Sequence, residues 1–116
     1  MPEVGDAFYL EVEYEDVFDG SKIRPVIIID KRDDNIFLVS TTSQKPKNPP
    51  SYYDQFKIPI LNWRRIGFKE PSWAKSYKLI QLSEEDLNKI NKKDYIGCLS
   101  EDDLKFLINE IERLHS

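Results

Sequence analysis

The chain has 116 residues, an apolar share of 40% and a charged share of 33%, which is one domain's worth of ordinary globular protein with too many aliphatic and aromatic side chains for disorder. No apolar run approaches the ~20 residues that span a bilayer, and no basic segment followed by an apolar stretch and a small-residue cleavage site opens the chain, so a cytoplasmic protein without a membrane partner is expected. The net charge of −4 disfavours a polyanionic partner, yet residues 1–40 carry four basic and ten acidic side chains, residues 41–80 eight and two, and residues 81–116 five and nine, so a strongly basic third stands between two acidic ones.

From Phe8 the chain alternates, with Phe8, Leu10, Val12 and Tyr14 on one side and Tyr9, Glu11, Glu13 and Glu15 on the other, the period of a strand half in water. Asp19-Gly20 is a turn dipeptide leading into a second strand, Pro25 to Asp30, in which Val26 to Ile29 are four consecutive β-branched residues. Pro25 has no N–H to give to a ladder, so it is expected to begin that strand, and it pushes Arg24 into extended geometry. The run KRDDN makes the next turn, and Ile36 to Ser43 form a third strand that pairs most simply as a meander.

Gln44 to Gln55 contains three prolines, basic residues and two adjacent tyrosines and reads as a long loop of the kind that carries function. FKIPI and PSWAKSYKLIQL follow as short strands, with one turn of helix in NWRRIGFKE ending near Gly67. The period then changes. Ser83 with Asp86 three residues on starts a short helix bearing Leu87 and Ile90, Tyr95 to Leu99 is extended, and Ser100 with Asp103 opens a helix with Leu104, Leu107, Ile108, Ile111 and Leu114 at helical spacing. Short strands with a terminal helix predict a mainly β fold, a small β-barrel with helices packed on it, occupying residues 1–116 as one domain.

His115, the sole histidine, lies on an end expected to fray, and the sole cysteine, Cys98, reads as a small buried thiol in YIGCL. No zinc ligand set, EF-hand spacing or glycine-rich phosphate loop is present, so neither a metal nor a cofactor is expected. What remains is arginine with hydroxyls. An antiparallel hairpin sets the start of one strand beside the end of the next, so Arg24 and the Thr41 to Ser43 group are expected at one rim, where a guanidinium fork with hydroxyl donors suits a phosphate. The loop residues Gln44, Lys45 and Lys47 continue from that rim. Tyr52, Tyr53 and Phe56 suit stacking on unpaired bases or, for the two tyrosines with equal weight, packing into the core. Trp63 and Trp73 read as core or interface.

The segments GDAFYLEVEY, SKIRPVIII, FLVSTTSQKPK, PSWAKSYKLIQL and IGCLSEDDLKFLINEI, in that order, resemble the MazF/PemK family of toxin endoribonucleases from bacterial toxin–antitoxin pairs, nearly end to end. The resemblance rests most on Gly5-Asp6, on Arg24-Pro25 before an aliphatic run, and on Thr42 in TTSQ before a basic loop. It implies an SH3-like barrel with a C-terminal helix, a homodimer, a cognate antitoxin as partner, and metal-independent cleavage of single-stranded RNA with Arg24 and Thr42 as the catalytic pair. Ser43, Gln44, Lys45, Lys47, Tyr52 and Tyr53 then bind RNA. A longer loop that many members place ahead of the Arg-Pro pair is missing here, with any glutamate it supplies, and Glu15, Asp16 and Asp19 read either as substitutes for it or as solvated turn residues. The same barrel is also compatible with a non-catalytic toxin that grips a protein, as gyrase-binding relatives do.

Overall fold

The run Val26–Ile29 has no polar side, a pattern tolerated only where a strand is covered on both faces. In a computed structural model of the protein both coverings are present. The structure describes residues 2–13 and 21–116, and for residues 13, 21 and 22 the backbone only. Within them, β1 (Asp6–Glu13), β2 (Ser21–Arg32), β3 (Asn35–Thr42), β4 (Lys57–Pro59), β5 (Trp73–Ser83) and β6 (Tyr95–Cys98) form one antiparallel sheet in the order β4-β5-β3-β2-β1-β6. The helices are α1 (Trp63–Ile66), α2 (Glu84–Asn88) and α3 (Glu101–His115), with single 3₁₀ turns at Tyr53–Phe56 and Lys92–Asp94. The mainly β architecture, the β1–β2–β3 meander and the terminal helix are as the sequence predicts. Tyr14, Glu15, Asp16 and the Asp19-Gly20 turn lie outside the described residues.

On one face of the sheet Ile27, Ile29, Val39 and Ala74 pack with Leu107 of α3, and on the other Val26, Ile28, Phe8 and Leu38 pack with Leu87 of α2. Each helix starts where its serine stands: the Ser83 hydroxyl accepts from the Asp86 N–H at 3.1 Å, and the Ser100 hydroxyl from the Asp103 N–H at 3.1 Å. Leu107 is 1% exposed, so truncating it to alanine costs about 2–5 kcal/mol through lost burial and the cavity left behind.

Three expectations are corrected. Pro25 does not begin its strand: β2 starts at Ser21, and Pro25 sits inside it opposite Tyr9. The proline is tolerated because its carbonyl, and hence its missing N–H, points toward β3, where the main-chain ladder begins only at the Val26–Ser40 pair. The Pro25 carbonyl instead accepts the Thr41 hydroxyl at 3.0 Å. Cys98 is exposed, because β6 is a short strand at the edge of the sheet, paired among the described residues with β1 alone. His115 does not fray: α3 runs through it, its Nε2 lies 2.8 Å from the Ser76 carbonyl, and its ring stacks on Phe56 at 5.2 Å.

β6 also meets α1 more closely than side chains would permit. A Cβ on Gly97 would lie 1.8 Å from the Ile66 carbonyl oxygen, and one on Gly67 would lie 2.6 Å from the Ile96 carbonyl oxygen. Gly67 has φ 125°, which ends α1 in a conformation that side chains disfavour. The two glycines thus let two backbones touch, and the Asn62 side-chain amide adds hydrogen bonds of 2.8 and 2.9 Å to Asp103 of α3. Together these contacts fix the segment that follows Gly67.

Candidate functional site

The β2–β3 register pairs Val26 with Ser40. Two residues further in each strand, and therefore on the same face, stand Arg24 and Thr42. Both line one cleft of about 180 Å³, together with Tyr9, Ser43, Lys69 and Glu70. Arg24 is half-buried, with its Nε withdrawn from solvent. Thr42 is 8% exposed, and its Oγ1 accepts the Gln44 N–H at 3.2 Å. That bond uses an oxygen lone pair and leaves the hydroxyl proton available for donation. The cleft thus joins a fixed cation to a hydroxyl donor, a pairing suited to a phosphodiester.

The loop beyond Ser43 is organised by an acid that sequence reading passed over. Asp54 is 6% exposed and accepts the N–H groups of Lys47 and Ser51, each at 3.0 Å, while Lys57 Nζ stands 2.9 Å away. Lys57, first, and the two N–H donors hold its carboxyl well below the usual carboxylate range. The Ser51 hydroxyl accepts in return from the Asp54 N–H at 3.3 Å. The signal was present, since Ser51 and Asp54 have the same spacing as Ser83 with Asp86 and Ser100 with Asp103.

Arg24, Thr42 and Ser43 share the cleft; Gln44, Lys45, Lys47, Tyr52 and Tyr53 are not in its lining. Lys45 and Lys47 are exposed on the loop leading away from it, and the Gln44 carbonyl accepts Lys57 Nζ at 3.1 Å. Tyr52 and Tyr53 are 69% and 51% exposed, which removes the core-packing reading for this pair. Their rings lie 5.2 Å apart, and Tyr53 reaches Tyr77 at 4.7 Å, with Lys75 Nζ above the Tyr77 ring at 5.4 Å. Lys75 and Tyr77 extend this aromatic surface along β5 and were not singled out from sequence.

The basic third does not form one patch. Arg64 stands over the Trp63 ring at 5.0 Å and lines, with Arg65, a separate shallow depression. Of the basic residues in this third, Lys69 lines the cleft. It lies on the strap 67–72, which no strand or helix pattern reveals. Phe68 buries one end, and at the other the Ser72 carbonyl accepts the Ile60 N–H at 2.9 Å while its hydroxyl donates to the Glu70 carbonyl at 2.9 Å. Among the described residues no three His, Cys, Asp or Glu side chains cluster as metal ligands would, and no helix is long and apolar enough to cross a membrane.

No protein-family model matches the sequence, and no curated protein matches it. Among solved structures, the Mycobacterium tuberculosis toxin MazF-mt6 is similar, with a TM-score of 0.58 over 93% of this chain and 95% of that chain, at 14% identity. The likeness is one of fold: this chain has a MazF-like architecture.

Proposed function

We propose that this protein is the toxin of a toxin–antitoxin pair, an endoribonuclease that cuts single-stranded RNA without a metal, using the RNA's own 2′-OH as nucleophile. The observation that carries this reading is the placement of Arg24 and Thr42 on adjacent strands in one cleft, within a MazF-like fold. In-line attack by a neighbouring hydroxyl asks the protein for alignment and for relief of the charge that builds on the phosphoryl oxygens. Arg24 supplies the charge from its place on β2. Thr42 donates its free proton to a phosphoryl oxygen. Arginine stays protonated at working pH, so its role is electrostatic.

Lys45 and Lys47 attract the backbone on either side of the cut, and Tyr52 and Tyr53 offer faces to unpaired bases. In this reading the protein is a cytoplasmic homodimer, and an antitoxin inhibits it by covering the cleft and its cationic approach. Incubation with mixed-sequence RNA in EDTA tests it. The wild type is expected to cut at a limited set of positions, leaving 2′,3′-cyclic phosphate and 5′-hydroxyl ends, and Arg24→Ala to lose about 10²–10³-fold in rate, the usual loss for one transition-state donor. RNA left whole by the wild type, or cut equally by Arg24→Ala, refutes it.

A further inference from the structure

Attack by a 2′-OH requires that its proton leave, and neither Arg24 nor Thr42 can take it: a guanidinium has no acceptor lone pair, and a threonine hydroxyl is far too weak a base. The described lining of the cleft holds one carboxylate, Glu70. It comes from the strap between α1 and β5, not from the segment preceding Arg24 where the family resemblance would seek an acid. Its backbone is held from both sides, by buried Phe68 and by the paired hydrogen bonds of Ser72 to Glu70 and Ile60. The side chain is exposed, so solvent can exchange a proton with it. Three other charged or titratable groups line the same cleft, Arg24, Lys69 and Tyr9.

We infer that Glu70 is the general base of the cleavage, an inference that rests on the endoribonuclease reading above. The carboxylate takes the proton of the 2′-OH as the O2′–P bond forms. The P–O5′ bond then breaks, its electron pair leaving on O5′, which is protonated by water. The resulting hydroxide recovers the proton from the Glu70 carboxylic acid, so the protein ends as it began. The products are a 2′,3′-cyclic phosphate and a 5′-hydroxyl, and nothing is oxidised or reduced.

The test compares wild type, Glu70→Gln, Glu70→Ala and Arg24→Ala on mixed-sequence single-stranded RNA in EDTA across pH. Glu70→Gln is expected to lose about 10²–10⁴-fold in kcat with little change in KM, the range general-base catalysis contributes. It is also expected to lose the rising acidic limb of the pH–rate profile, and added formate is expected to restore part of the rate of Glu70→Ala. Because Glu70 is exposed, its variants should melt with the wild type, which separates loss of chemistry from loss of fold. Wild-type rate in Glu70→Gln, or a reduced rate with the wild-type pH profile and no formate rescue, overturns the assignment while Arg24→Ala remains impaired. RNA left whole by the wild type, or cut undiminished by Arg24→Ala, refutes the endoribonuclease reading itself, and the assignment with it.

Discussion

Gly97 lies on β6, remote in sequence from the cleft, yet Gly97→Ala should damage both stability and cleavage. The added Cβ would stand 1.8 Å from the Ile66 carbonyl oxygen, whereas real Cβ atoms essentially never come under 3.0 Å, so one backbone must retreat by at least the difference of about 1.2 Å. No rotamer change relieves the clash, because the obstructing atom is main chain. Overpacking of this kind costs about 3 kcal/mol, toward the upper end of its usual range. In a chain of this length that lowers Tm by roughly 10–15 °C. Ile66 leads through Gly67 into the strap that bears Lys69 and Glu70, so a shift of this size reaches the cleft, where a displacement of about 1 Å costs ~10²-fold in rate. Thermal melting by circular dichroism and cleavage at a temperature where the variant is folded measure the two effects. Cys98→Ala, a neighbouring change at an exposed position of the same strand, should stay within about 0.5 kcal/mol of wild type. A Tm for Gly97→Ala within about 2 °C of wild type would refute the close contact between β6 and α1.

Thr42→Ser retains the hydroxyl and should cut RNA within about tenfold of wild type, whereas Thr42→Val should lose about 10²-fold, together with about 1 kcal/mol for the lost Gln44 N–H bond; equal rates would remove the hydroxyl from the mechanism. The Asp54 carboxyl is held low in the fold, so its stabilising contribution is complete above the ordinary aspartate range and fades as pH falls below about 4. Asp54→Asn should abolish that part of the acid dependence and expose residues 44–55 to limited proteolysis at neutral pH; wild-type protection would show that the loop is held otherwise. Alanine at both Tyr52 and Tyr53 should weaken single-stranded RNA binding by about 1–3 kcal/mol for each base stacked, read by fluorescence anisotropy at fixed salt, and unchanged affinity would exclude stacking there.

Local pattern made much of this architecture legible. Alternation marked β1, the Val26–Ile29 run marked β2, and the serine caps with their apolar stripes marked α2 and α3. Pairing of adjacent strands was enough to bring Arg24 and Thr42 to one rim, because a hairpin determines which ends meet. The opposite wall was not legible. Lys69 and Glu70 reach the cleft only through contacts between residues far apart in the chain, such as Gly97 with Ile66 and Asn62 with Asp103. His115 was misjudged for the same reason: helix ends fray by default, and only the folded Phe56 and Ser76 hold this one. Pro25 was placed at a strand start because its tolerance inside β2 depends on where β3 stops pairing.

The Thr41 hydroxyl joins the end of β3 to the Pro25 carbonyl, so Arg24 and Thr42 are carried by two strands stitched into the core. Lys69 and Glu70 hang from a strap fastened at Phe68 and Ser72. One jaw of the cleft is therefore welded to the scaffold and the other is bolted on. Exchanges at positions 69 and 71, on either side of Glu70, can reshape that jaw while leaving Arg24, Thr42 and the sheet behind them untouched, so one wall of the cleft is free to vary on an unchanged scaffold.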